Sequence, residues 1–185
     1  RYLQKAQFVE GLVTQLNDTH VFVNKKEIPY DYLIIASGST YNAPIKEQNV
    51  IISTRAEHLA ASHEKLQKSN DIIIVGGGIV GVELAAEIVT HYKDKKVTIV
   101  HAQDRLMPRN SEKVSRYAEQ FLLRHNVNMI YNERVIEVKG DAAKTDKNRT
   151  LKAQLIYLCT GIKANSRFIA NWKPELLNKY GQVAV

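Results

Sequence analysis

Residues Asp71 to Glu83 read DIIIVGGGIVGVE, and this stretch constrains the fold more than any other. An apolar run of strand length, Asp71 to Val75, enters a glycine turn at Gly76, Gly77 and Gly78. A helical pattern then runs from Ile79 to about Tyr92. The glycines at 76, 78 and 81 have the G-x-G-x-x-G spacing of a dinucleotide-binding turn. In such a turn the first glycine makes the strand-to-helix corner, the second lets a diphosphate approach the backbone, and the third lets helix and strand pack closely. The diphosphate would rest on the free amides at the helix start, around Ile79 and Val80, favoured by the helix dipole. A bare glycine triplet is weak evidence. Here a strand precedes it, a helix follows, and a second strand, Val97 to Val100, comes at the right distance.

The rest of the chain is read around that unit. Val114, Ala118, Phe121, Leu122 and His125 mark one face of a second helix, and Val127 to Tyr131 a third strand. Arg134 to Val138 and Thr150 to Ala153 read as a hairpin around a polar loop, Gly140 to Arg149. Leu155 to Thr160 returns as a buried strand ending at Gly161. Strands alternating with helices give an α/β fold: a Rossmann-like parallel sheet with an inserted antiparallel β meander. Upstream, Thr54 and Glu57 read as a capping box for a helix carrying Ala56, Leu59, Ala60, His63 and Leu66 on one face. Pro44 marks a linker. Phe8 to Leu16 and His20 to Val23 read as an antiparallel meander leading to a buried strand, Leu33 to Ala36.

Composition excludes several classes. No apolar run approaches the ~20 residues of a membrane span. The single cysteine, Cys159, rules out an internal disulfide framework, and its apolar strand implies an inert buried thiol. No His or Cys cluster has metal-ligand spacing, and no nucleophile elbow is present, so neither a metal site nor a catalytic residue is assigned. The net charge of +7 is spread over helices and turns without aromatic interleaving, which argues against a nucleic-acid partner. The chain opens at Arg1, in what reads as mid-strand, so any targeting signal would lie upstream.

The acidic residue that usually closes the second strand, where it binds the ribose hydroxyls, is His101 here. His101 could donate to a phosphate or stack on adenine, or it could be a solvated strand-end residue. Arg105 could add positive charge beside it. Either NADH or NADPH is admissible.

Three stretches together, Ile28 to Ser39 (IPYDYLIIASGS), Ile74 to Glu83 and Leu155 to Gly161 (LIYLCTG), resemble the FAD-dependent pyridine nucleotide-disulfide oxidoreductase superfamily. Within it the chain is most similar to the apoptosis-inducing-factor-like group that includes the ferroptosis suppressor proteins. Gly11 to Val13, Glu83 to Ile88, Val97 to His101, Leu122 to Arg124, Glu133 to Val135 and Cys159 to Lys163, with Asn165 and Ser166, carry that narrower likeness. The resemblance implies residues 1–45 as the tail of a first FAD-domain segment, 46–165 as an NAD(P)H-binding domain, and 166–185 as the start of the returning FAD segment. It implies that Ala36, Ser37 and Gly38 form the loop against the flavin. Glu83 would hold the nicotinamide end, with Thr160 and Gly161 beside it. It further implies hydride transfer from NAD(P)H to FAD in the full-length protein and electron transfer to a small-molecule acceptor, a quinone in this group. The 185 residues alone are expected to keep weak dinucleotide affinity, bind no FAD and not turn over. The implied location is intracellular, cytoplasmic or membrane-associated, with membrane contact through segments outside the chain. A disulfide reductase and a non-catalytic nucleotide sensor are the competing readings.

Overall fold

A computed structural model describes residues 6–41 and 52–184, with backbone only for 52–55. The chain divides into two compact units, residues 1–40 with 163–185, and residues 41–162.

In the first unit, β1 (Val13–Leu16), β2 (His20–Val23) and β3 (Lys26–Pro29) form an antiparallel meander in the order β1-β2-β3. The first turn is built by Asn17, whose Oδ1 accepts from the amides of Thr19 (2.9 Å) and His20 (2.6 Å). The second is a two-residue hairpin loop, Asn24-Lys25, with both residues at positive φ (47° and 72°). That turn makes β3 a third strand of the meander, ahead of the run Leu33 to Ala36 that the sequence read as the buried strand it feeds. Residues 33–36 are assigned no strand, and Ile34 is 91% exposed. An apolar run becomes a buried strand only beside ladder partners, and among the described residues none pairs with it. A short strand, β4 (Ser39–Thr40), follows. Pro44, read as a linker, lies outside the described residues.

The second unit opens with α1 (Ile52–Lys68). It starts upstream of Thr54, so Thr54 lies within the first turn and not at the cap; end residues of helices shift this way readily. Its expected apolar face is mostly open: Leu59 is 48% exposed, and Leu66 is the residue of that face that packs on the core. The other members are alanines and a histidine, with little apolar area to bury. The helix is held instead at its C-terminus. There the buried ammonium of Lys95 donates to the carbonyls of Ser69 (2.7 Å) and Gln67 (3.2 Å) and lies 4.9 Å from the Tyr92 ring.

Then come β5 (Asp71–Val75), α2 (Ile79–His91), β6 (Lys96–Val100), α3 (Glu112–Arg124) and β7 (Asn128–Ile130). They are followed by β8 (Val135–Lys139), β9 (Ala142–Thr145), β10 (Thr150–Lys152) and β11 (Leu155–Leu158). β11, β5, β6 and β7 lie in that order as a wholly parallel sheet. Alternation along β5 explains its unbroken apolar run. Ile72 and Ile74 face the core made with Val82, Ala85, Ile88 and Leu122 of the helices, while Ile73 and Val75 face a second core with Val100 and Ala153. A strand covered on both faces needs apolar residues at every position, and each fully buried isoleucine stabilises the fold by roughly 1.5–3 kcal/mol.

Two expectations are corrected in this unit. The polar loop Gly140 to Arg149 contains a strand, β9, lying between β8 and β10, so the inserted antiparallel meander of the expected fold class is present with three strands, and only the reading of β8 and β10 as a paired hairpin is overturned. Its inward side chains, Ala143 and Thr145, are fully buried but small, so the segment lacks the bulky alternation that marks most strands. On α3, Ser115 is buried and Val114 is 44% exposed, the reverse of the apolar-face reading. The Ser115 hydroxyl donates to the Leu106 carbonyl at 2.6 Å, which satisfies the buried polar group.

The chain then returns to the first unit. There β12 (Lys163–Ala164) pairs antiparallel with β4, and α4 (Arg167–Ala170) seats the fully buried Ile169. Lys173 Nζ meets the Asp18 carboxylate at 2.6 Å, and this bond lowers the Asp18 pKa. Among the described residues no helix is long and apolar enough to cross a membrane.

Candidate dinucleotide site

The strand order places the site. The chain runs from β5 to β6 to β7 on one side, and β11 is added on the other side of β5. The order therefore reverses between β5 and β11, and the crevice at the carboxyl ends of parallel strands at such a reversal is where ligands bind in open α/β sheets. Gly76 leaves β5 there, His101 leaves β6, and Cys159 to Gly161 leave β11.

The glycines of the turn have different causes. Gly76 sits at φ +109°, and a Cβ on it would lie 2.4 Å from the Cys159 carbonyl oxygen. At Gly81 a Cβ would lie 1.9 Å from the Gly76 carbonyl oxygen, so helix and strand could not approach. Both are required by the protein itself. Gly78 is not: its φ of −75° suits any residue, and among the described residues nothing beyond its chain neighbours and its own helix backbone lies within 4 Å of the place where its Cβ would stand.

Gly78 is the N-cap of α2, and no side chain caps the helix. Among the described residues no acceptor meets the amides of Gly78, Ile79 or Val80. The first turn carries no acidic residue, so the positive end of the helix dipole is unopposed. Ile79 is 51% exposed, and Val80 packs partly on the core. Open space over Gly78 and free amides behind it fit an anionic diphosphate, the group that a pyridine dinucleotide brings.

On the ribose side, His101 is not a solvated strand-end residue. It is 9% exposed, and its Nδ1 accepts the Gly77 amide at 3.0 Å, so the ring is turned under the glycine loop. Burial holds the pKa of His101 below the ordinary histidine value. Arg105 is spent on its own loop, donating to the carbonyls of Pro108 (2.8 Å) and Asn110 (3.3 Å). Gln103 and Asp104 are the exposed polar side chains just past the strand.

On the other side, Glu83 is exposed on α2, and Thr160 and Gly161 are exposed after β11, with Gly161 at φ +111°. The backbone at Cys159–Thr160 lies directly against Gly76, where a Cβ would stand 2.4 Å from the Cys159 carbonyl oxygen. Cys159 itself is buried, with its thiol pushed up to about 11 by desolvation.

In the first unit, Ala36, Ser37 and Gly38 form an exposed loop with Gly38 at φ +66°. Asn165 clamps it from both sides. Its amide donates to the Gly38 carbonyl (3.0 Å) and its Nδ2 to the Ser37 carbonyl (2.9 Å), while the Ser37 hydroxyl donates to the Asn165 carbonyl (2.8 Å). Sequence reading missed Asn165 as a clamp, because nothing local links residues 128 positions apart. It also missed the Gly77–His101 bond, although the unusual histidine at the strand end was its visible sign.

Among the described residues a hollow of about 320 Å³ lies at the opposite, N-terminal edge of the sheet, lined by Asp71, Lys96, Asn126, Asn128 and Lys152. It mixes both charges and has no free helix start behind it, so the chemistry points to the glycine end.

Ferroptosis suppressor protein 1 from Homo sapiens is 34% identical across 88% of this chain and 47% of its own length. Apoptosis-inducing factor homolog B from Dictyostelium discoideum is 29% identical across 100% of this chain and 55% of its own. The chain thus spans about half the length of these relatives. Among solved structures, a ferredoxin reductase from Rhodopseudomonas palustris superposes over 100% of this chain and 48% of its own with a TM-score of 0.77 at 17% identity, a likeness of fold. A water-forming NADH oxidase from Lactobacillus brevis, bound to NADH, superposes over 86% of this chain and 39% of its own with a TM-score of 0.69 at 26% identity. Residues 3–185 match the pyridine nucleotide-disulphide oxidoreductase pattern, and the chain belongs to that family.

Proposed function

We propose that residues 46–165 bind a pyridine dinucleotide, with its diphosphate on the amides of Gly78, Ile79 and Val80. The observation that carries this reading is Gly78, a glycine that neither backbone conformation nor protein packing demands, beside amides without acceptors. A ligand supplies the missing reason. Glu83, Thr160 and Gly161 would border the nicotinamide end. Because Arg105 is engaged and no acid stands at the end of β6, neither a ribose hydroxyl nor a 2′-phosphate is selected, and both NADH and NADPH are expected to bind.

In the whole protein we infer an FAD-dependent NAD(P)H oxidoreductase, with residues 1–45 and 166–185 belonging to the flavin domain. Held by residues 46–165, the nicotinamide would supply a hydride to the flavin, whose redox chemistry would pass the electrons to an acceptor. This chain's part is positioning: free amides for the diphosphate, and an Asn165-clamped loop, Ala36 to Gly38, for the flavin side. The family membership and the NADH-bound oxidase among the structural neighbours support this reading. The proposed acceptor is a quinone, on the likeness to the apoptosis-inducing-factor group.

Stopped-flow reduction of the flavoprotein by NADH and by NADPH tests it, followed by quinone and disulfide acceptors. Flavin bleaching by both nucleotides and reoxidation by quinone is the expected result. Absence of bleaching with either nucleotide removes the enzyme reading, and turnover with a disulfide alone replaces the quinone.

A further inference from the structure

We propose that His101 is a positioning residue for the dinucleotide: its neutral ring holds the Gly77 amide, and with it the phosphate loop, and lets that loop go when the ring is protonated. The proposal rests on the dinucleotide reading above and assigns His101 a role other than contact with ribose or phosphate.

Gly77 is gripped at both of its polar groups by one segment. Its N–H donates to His101 Nδ1 at 3.0 Å, and its carbonyl accepts the Met107 amide at 2.8 Å. The grip is close-packed. A Cβ on Gly77 would stand 2.7 Å from Leu106 Cδ2 and 2.9 Å from His101 Cγ. This contact accounts for the middle of the three consecutive glycines, which the G-x-G-x-x-G spacing does not require. Gly77 lies directly before the amides assigned to the diphosphate, so its backbone orientation sets theirs.

The bond dictates the ring's protonation. A neutral imidazole has one acceptor nitrogen; an imidazolium has none. Acceptance at Nδ1 therefore puts the proton on Nε2, which is buried and without a partner among the described residues. On protonation the ring would present N–H to N–H at Gly77, and the loop must move. The neighbouring charges are few. Asp104, on the same loop, and the backbone of Arg105 favour the charged ring, while burial, the largest influence, opposes it. The Arg105 guanidinium faces the Pro108 and Asn110 carbonyls. Glu133, beyond β7, meets His101 through its backbone amide and gives its carboxylate to Arg149. The first turn of α2 has no acid.

The test is NAD⁺ affinity of the full chain by calorimetry between pH 4.5 and 8, for the natural protein, His101→Asn and His101→Leu, with the His101 ring's own ¹⁵N titration confirming that it becomes protonated within that range. The Asn Oδ1 is as many bonds from Cβ as Nδ1 and accepts without titrating. The natural protein should lose about five- to tenfold in affinity on acidification, the value of one hydrogen bond lost. His101→Asn should bind nearly as the natural protein does at pH 8, with a flat profile. His101→Leu should be flat and weaker. Tighter binding in acid would overturn the proposal, since it means that the charged ring touches phosphate. A flat profile in the natural protein, or the same slope in His101→Asn, would also overturn it. If NAD⁺ does not bind at any pH, the dinucleotide reading fails separately. The ¹⁵N shifts of Gly77 and His101 across the same pH range then decide the positioning role: a Gly77 amide that follows the ring's titration supports it, and one that ignores it refutes it.

Discussion

Replacing Gly78 with alanine separates folding from binding. The backbone there, φ −75° and ψ −177°, admits any residue, and among the described residues nothing beyond its chain neighbours and its own helix backbone lies within 4 Å of the new methyl group. Restricting the unfolded chain stabilises by about 0.4–1 kcal/mol. Alanine is a poorer N-cap than glycine, which costs about the same amount. The two offset, and Gly78→Ala should melt within about 3 °C of the natural protein. Binding has no such compensation. The methyl group stands where the diphosphate would approach, and each charge-assisted hydrogen bond lost costs about 1.5–3 kcal/mol, so the Kd for NADH should rise at least about tenfold. Gly81→Ala is the contrasting change, since its Cβ would sit 1.9 Å from a backbone oxygen that cannot rotate away. Overpacking of that kind costs about 1–3 kcal/mol, and the melting temperature should fall by about 5 °C or more. Circular-dichroism melting and isothermal titration calorimetry read both variants. If Gly78→Ala binds NADH as tightly as the natural protein, or melts as low as Gly81→Ala, the reasoning is refuted.

Three further outcomes are expected. Lys95→Met removes the donor that satisfies the Ser69 and Gln67 carbonyls at the end of α1, and should cost about 1–3 kcal/mol in urea unfolding without changing NADH affinity. Arg149→Ala leaves the buried Glu133 carboxylate without its 2.9 Å partner and should destabilise by about 2 kcal/mol, less than a fully buried pair because Arg149 is half exposed. The Glu133→Gln/Arg149→Ala double variant should recover part of that loss in the same melt. The Cys159 thiol, raised to about 11, should resist aromatic disulfide reagents at pH 8 until the protein unfolds. Its contribution to stability is full below the ordinary thiol value and is lost as pH rises towards about 11, because the unfolded chain ionises first.

The parts of the fold legible in the sequence are those where one local pattern has one structural solution. β5, α2 and β11 fall where the residues place them, because an apolar strand followed by a glycine corner and a helical repeat fits little else. β9 and β3 were illegible. One buries only small side chains, Ala143 and Thr145, and so lacks a bulky apolar alternation, and the other depends on Lys25 adopting a left-handed backbone that nothing in the residue demands. The site divides the same way. The glycine loop is visible as spacing, but the divided duties of its glycines, the inward turn of His101 and the Asn165 clamp depend on long-range contacts that no window of sequence contains.

Titration of ¹⁵N-labelled protein with NADH, followed amide by amide, tests the central assignment most directly. The account predicts that the resonances of Gly78, Ile79 and Val80 move first and furthest, at the carboxyl end of the parallel sheet. Shifts confined to the hollow around Asp71, Lys96 and Asn128, or no shifts at saturating nucleotide, would contradict it.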